Sequence, residues 1–126
     1  MVIISVTGNK YGGQTVLFKM SNTLLVLTSC PDNKTAQEMA STLVDEGLAA
    51  CVQIQSSVTS VYRWKGETVT ENECLLGIKT SNKAYASLQK RIQRLHPYDL
   101  PEIIAIDIVN GLPEYLRWIE ETTCKN

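Results

Sequence analysis

The sequence predicts an α+β fold. Two strand–helix–strand units follow in tandem, their strands forming one antiparallel sheet with the helices on one face, and a last helix closes the chain. Three observations carry this expectation. From Leu24 onward, apolar runs and helix-period stripes come in the order strand, helix, strand, strand, helix, strand. Between the two helices, residues 51–80 alternate as strands around a single Lys65-Gly66 corner. From Leu95 to Ile108, helix gives way to strand across an elbow holding the only histidine, His96, and two of the four prolines.

Each element has a local reason. Leu24-Leu25-Val26-Leu27-Thr28 is a near-continuous apolar run, the mark of a central strand covered on at least one face. Cys30-Pro31-Asp32-Asn33 turns the chain, and Asp32 or Asn33 can cap the helix that follows. Ala36, Met39, Ala40, Leu43 and Val44 form its stripe, and Gly47 suits the position just past its end. Cys51 to Trp64 reads as a strand with Val52, Ile54, Val58, Tyr62 and Trp64 on one parity. Thr68 to Thr80 returns antiparallel, carrying Cys74, Leu76 and Ile78 on one face. With the corner at Lys65-Gly66, residues whose numbers sum to about 131 face each other, which sets Cys51 opposite Thr80 and Glu73 opposite Val58.

Each arm of that hairpin runs about 13 residues, roughly 43 Å at ~3.3 Å per residue, against ~17–20 Å for an ordinary strand. A domain this small does not cover such a ribbon alone, so its far end, with Tyr62 and Trp64, is expected to pack on another subunit. Ser81 or Asn82 caps a second helix over 83–95, with Tyr85, Leu88, Ile92 and Leu95 inward. Pro97 pushes His96 out of the α region. Pro101 heads a last core strand over Ile103 to Val109, since it has no N–H for a ladder. Pro113 opens the closing helix, where Tyr115, Leu116, Trp118 and Ile119 are available to pack.

Composition bounds the function. A chain of 126 residues, 44% apolar and 20% charged, is a single globular domain in size. Within it, residues 1–20 read as an N-terminal extension, a β-hairpin around the Gly8 to Gly13 cluster, ahead of a main domain over 21–126. A net charge of −1 argues against a nucleic-acid partner. No apolar run approaches the ~18 residues of a membrane helix, and the N-terminus lacks the basic and apolar regions of a secretory signal. The four cysteines form no CxxC or finger spacing, so free thiols and a cytoplasmic location are expected. The RNA-recognition fold shares this element order but stacks bases on aromatics of its two central strands, and Leu24–Thr28 and Leu75–Ile78 offer none. With no G-x-S-x-G and no P-loop, an enzyme is not expected.

The run His96-Pro97-Tyr98-Asp99-Leu100-Pro101-Glu102-Ile103-Ile104-Ala105 resembles the signature of the CutA family, the divalent-cation-tolerance proteins. The resemblance runs on through Cys30-Pro31-Asp32, Leu48-Ala49-Ala50-Cys51-Val52, Tyr62-Arg63-Trp64-Lys65-Gly66-Glu67, Ile78-Lys79-Thr80 and Tyr115-Leu116-Arg117-Trp118-Ile119, over about residues 22–120. It implies a ferredoxin-like βαββαβ fold, a homotrimer with interlocking hairpins, tolerance to divalent cations with copper binding, and no established catalytic reaction. It also points to Cys51, Glu73 and His96 as the thiol, carboxylate and imidazole positions for a divalent metal ion. Thiolate with imidazole favours copper or zinc over magnesium or calcium.

In the register above, Glu73 stands about seven residues along the hairpin from Cys51, roughly 23 Å, so the three meet only across a subunit boundary. Each has a structural alternative: Cys51 as a small buried hydrophobe, His96 as a cation at a helix C-terminus, Glu73 as a solvated strand residue. Tyr62, Trp64, Tyr98, Glu102 and Trp118 are packing residues also able to line a cleft between subunits. A signalling or scaffold trimer resembling the PII regulators, taking a small ligand or partner protein in those clefts, is the alternative function.

Overall fold

The computed structural model describes residues 3–6, 16–19 and 22–123. In chain order the elements are β1 (Ile3–Val6), β2 (Val16–Lys19), β3 (Thr23–Cys30), α1 (Asn33–Asp45), β4 (Cys51–Trp64), β5 (Glu67–Ser81), α2 (Tyr85–Leu95), β6 (Ile104–Asp107) and α3 (Pro113–Thr123). β1 and β2 pair antiparallel as a sheet of their own, Ile3 opposite Lys19; the glycine-rich loop expected between them lies outside the described residues. The main sheet has the order β4-β5-β3-β6, antiparallel throughout. With one helix after β3 and another after β5, this is the α+β, ferredoxin-like arrangement that the element order predicts.

Local chemistry sets the helix ends. Asp32, extended at φ −154°, accepts a hydrogen bond from the Thr35 N–H at 2.8 Å and starts α1. Gly47, at φ 72°, supplies the left-handed residue after its end. Ala36, Met39 and Leu43 are buried, whereas Val44, expected in the same stripe, is 41% exposed at its edge. α2 starts two residues later than the sequence suggests, because a turn after Ser81 comes first and the Ser81 hydroxyl accepts from the Ala84 N–H at 3.2 Å. It ends at His96, whose extended backbone (φ −79°, ψ 134°) is what Pro97 demands. The core lies between these helices and the even-numbered residues of β3 and β5: Leu24, Val26 and Cys30 facing Cys74, Leu76 and Ile78.

The hairpin corner is as read. Lys65 (φ 50°) and Gly66 (φ 81°) form a two-residue turn with both residues left-handed, closed by Trp64 opposite Glu67. Glu73 faces Val58 as expected, but the ladder then slips between Val58 and Gln55, with Ser57 at φ 60°. This bulge corrects the sequence-based register: Cys51 faces Lys79, not Thr80. It also corrects the parity. One extra residue turns every later side chain to the other face. Val52 and Ile54, opposite Ile78 and Leu76, face the helices; Val58, Tyr62 and Trp64, opposite Glu73, Val69 and Glu67, face away from them. The last strand is shorter than expected, and its Ile104 and Ile106 are each 47% exposed.

A cleft between the hairpin and the elbow

The bulge and the elbow together make a site. Turned outward by the bulge, Ser60, Tyr62 and Trp64 of β4 stand beside Glu71 and Glu73 of β5. Pro97 and Pro101 bend residues 98–102 over the same face, closing a cavity of about 830 Å³ with Ser29 at its inner wall. Four carboxylates, Glu71, Glu73, Asp99 and Glu102, line it, and none of the lining residues is basic.

Hydrogen bonds fix the walls. Tyr98 donates to Glu73 Oε2 at 2.8 Å, and Tyr62 donates to Glu71. Burial, then the bond to Glu73 and its charge, push the Tyr98 phenol well above its ordinary value; the bond to Glu71, helped by desolvation, pushes Tyr62 up to about 12. Behind Tyr98 sits His96, buried, its ring 4.8 Å from the Tyr98 ring. Its Nε2 lies 2.7 Å from the Ser29 carbonyl, and its Nδ1 accepts from the Tyr98 N–H at 3.2 Å. A carbonyl only accepts, so Nε2 donates to it and the ring brackets β3 to the elbow.

A phenol held above its ordinary 10.0 contributes stability that is whole below pH 10 and drains as pH climbs toward the folded value. Tyr98→Phe is therefore expected to lose that contribution at neutral pH, where wild type holds all of it, and to flatten the alkaline limb of the stability profile, read by urea unfolding at stepped pH. An alkaline limb identical to wild type would show that Tyr98 ionises without consequence.

The structure sorts the sequence candidates. Tyr62, Trp64, Tyr98 and Glu102 line one cavity; Trp118 does not, stacking instead on Tyr115 in α3 at 5.4 Å between ring centres. Glu73 and His96, both buried, are joined through Tyr98. Cys51 is not with them: it pairs with Lys79, six β5 residues from Glu73 or about 20 Å within one protomer. Among the described residues no three or more histidine, cysteine, aspartate or glutamate side chains converge on one point. With both ring nitrogens engaged, His96 as placed does not fit a metal ligand without releasing a partner. Sequence reasoning missed Glu71. The signal was available: with Tyr62 opposite Val69, Glu71 is the diagonal neighbour on the same face.

A ferredoxin-like sheet with an acidic, aromatic-lined cleft beside an overlong hairpin defines a class of small α+β protein. Comparison narrows it. Residues 24–122 match the family described as CutA1 divalent ion tolerance protein, and the chain belongs to that family. It is 46% identical over 99 residues to the divalent-cation tolerance protein CutA of Thermus thermophilus, covering 79% of this chain and 96% of that one. To protein CutA of Mus musculus it is 38% identical over 95 residues, 75% of this chain but only 54% of the mouse protein, so it spans about half of that relative. The crystal structure of CutA from Xylella fastidiosa superposes with a TM-score of 0.80 at 42% identity, covering 82% of this chain and 99% of that one. No helix among the described residues is long and apolar enough to cross a membrane.

Proposed function

We propose that the chain forms a cytoplasmic homotrimer that holds a divalent cation, of the copper type, at its subunit boundaries, and that it sequesters the ion rather than catalysing a reaction. The observation that carries this reading is the cleft: four carboxylates and no basic side chain along its walls, in a chain of a divalent-ion tolerance family. Such walls raise the local concentration of cations and offer them oxygen ligands. Cys51, Glu73 and His96, drawn from different protomers, are the proposed softer set, which selects copper. Glu73 keeps acceptor capacity beyond its bond from Tyr98. His96 joins only by exchanging one of its two ring contacts for the ion, so it is the ligand that binding must rearrange.

Trimerisation is supported by what one protomer leaves bare. Val61 is 64% exposed and Trp64 45% at the end of a hairpin that outruns its own core. The second reading, a PII-like trimer taking a small molecule or partner, draws on cavity size. About 830 Å³ exceeds any ion and falls in the ~300–1,000 Å³ range of small-molecule sites.

Calorimetric copper titration separates these. Cys51→Ser, Glu73→Gln and His96→Ala are each expected to weaken binding by more than the ~10–100-fold that outer-sphere changes give. Unchanged affinity in all three removes the ion set and leaves the small-ligand reading.

A further inference from the structure

The cleft contains a buried carboxylate with no cation beside it. Glu73 is only 8% exposed, and the side chain that donates to it is a phenol, Tyr98. The one ion pair among the described residues, Arg91 with Glu46, ties the end of α1 to α2 and lies outside the cleft. A carboxylate removed from water is ordinarily matched by a cation or a metal. Here the protomer supplies neither, and Glu73 keeps acceptor capacity beyond the bond from Tyr98. The acidity is also local, since the whole chain carries a net charge of only −1.

The other walls say what kind of cation fits. Glu71 stands two residues before Glu73 on the same face of β5, about 7 Å along the strand. Asp99 and Glu102, both exposed, come from the elbow that bends over that face. The carboxylates thus approach the cavity from two separate segments. The rings of Tyr62 and Trp64, 38% and 45% exposed, line it as well. An aromatic face attracts an ammonium group and also packs the methylenes beside it. A bare metal ion uses neither a ring face nor a cavity of about 830 Å³. An elongated organic cation uses both.

We propose that the cleft binds a linear aliphatic polyamine, one ammonium group on Glu71 and Glu73 and another on Asp99 and Glu102, its methylenes along Tyr62 and Trp64. This rests on the small-ligand reading of the cavity; Cys51 and His96 take no part, because neither lines it. Each ammonium supplies several donors, and charge-assisted bonds to carboxylates are the strong ones. Tyr98 and Tyr62, donating to Glu73 and Glu71, hold the β5 carboxylates ready. Recognition is by charge and length, and no covalent bond is made or broken.

Trp64 is a reporter inside the site. In the full chain carrying Trp118→Phe it is the remaining tryptophan, and spermidine is expected to change its fluorescence saturably. The single-charge n-butylamine is expected to bind at least about tenfold more weakly. Asp99→Asn with Glu102→Gln, at two exposed positions, is expected to keep the fold by circular dichroism and to weaken spermidine by about tenfold or more, with n-butylamine unaltered. Spermidine held no tighter than n-butylamine, or held equally by the double variant, overturns the proposal. Acrylamide, a small neutral quencher, separates this failure from that of the reading beneath it. A Trp64 open to acrylamide but indifferent to spermidine removes the polyamine alone. A Trp64 shielded from acrylamide means that the cleft is closed in the assembled protein, and both fall.

Discussion

Ile104→Lys together with Ile106→Lys is expected to turn the proposed trimer into a monomer. Both side chains are 47% exposed in one protomer, on the strand that forms an edge of the main sheet. Their ladder partners Leu27 and Leu25 are only half-buried, so the sheet face away from α1 and α2 carries a contiguous apolar strip. Single exposed hydrophobes are ordinary; a strip beside a sheet edge is an interface or a hazard. Covering an isoleucine fully is worth about 1.5–3 kcal/mol, and a trimer repeats the gain at each boundary. Lysine in its place must be stripped of water without a partner, which costs several kcal/mol per charge. Sedimentation is expected to drop from three times 14.0 kDa to 14.0 kDa, and the melting temperature to stop depending on protein concentration. A wild-type mass of one chain sinks the trimer itself; a variant still at three chains puts the boundary elsewhere.

That strip also shows where reading the sequence succeeded and where it could not. Asp32, Lys65-Gly66 and Pro97 act through their own backbone neighbours, so the start of α1, the hairpin turn and the end of α2 were legible from residue type alone. The bulge was not. Ser56 and Ser57 carry no glycine or proline signal, yet Ser57 takes φ 60° and moves Tyr62 and Trp64 to the face opposite Val52 and Ile54. Counting parity through it placed all four on one side. The cleft depends on that flip, so its aromatic members were nameable but its walls were not. The bond from Tyr98 to Glu73 joins residues 25 apart, and His96 is spent on a carbonyl 67 residues away; neither follows from any local pattern.

His96→Ala is the sharper test of that bracket. It strands the Ser29 carbonyl inside β3 and the Tyr98 N–H at the elbow, two polar groups with no substitute donor or acceptor on the side chain that remains. Each such loss runs to about 1–3 kcal/mol when the group stays dry, so a drop of roughly 2–4 kcal/mol in urea unfolding is expected, out of the ~5–15 typical of a whole domain. The loss is expected to pass to the cleft. Freed from Nδ1, the elbow no longer aims Tyr98 at Glu73, and Tyr98→Phe added to His96→Ala should change the alkaline limb less than it does alone. Full additivity would mean that the ring supports β3 only. Strong coupling would make His96 the residue that sets the cleft's shape, and any copper effect of its removal would then have to exceed what a misplaced Glu73 already explains.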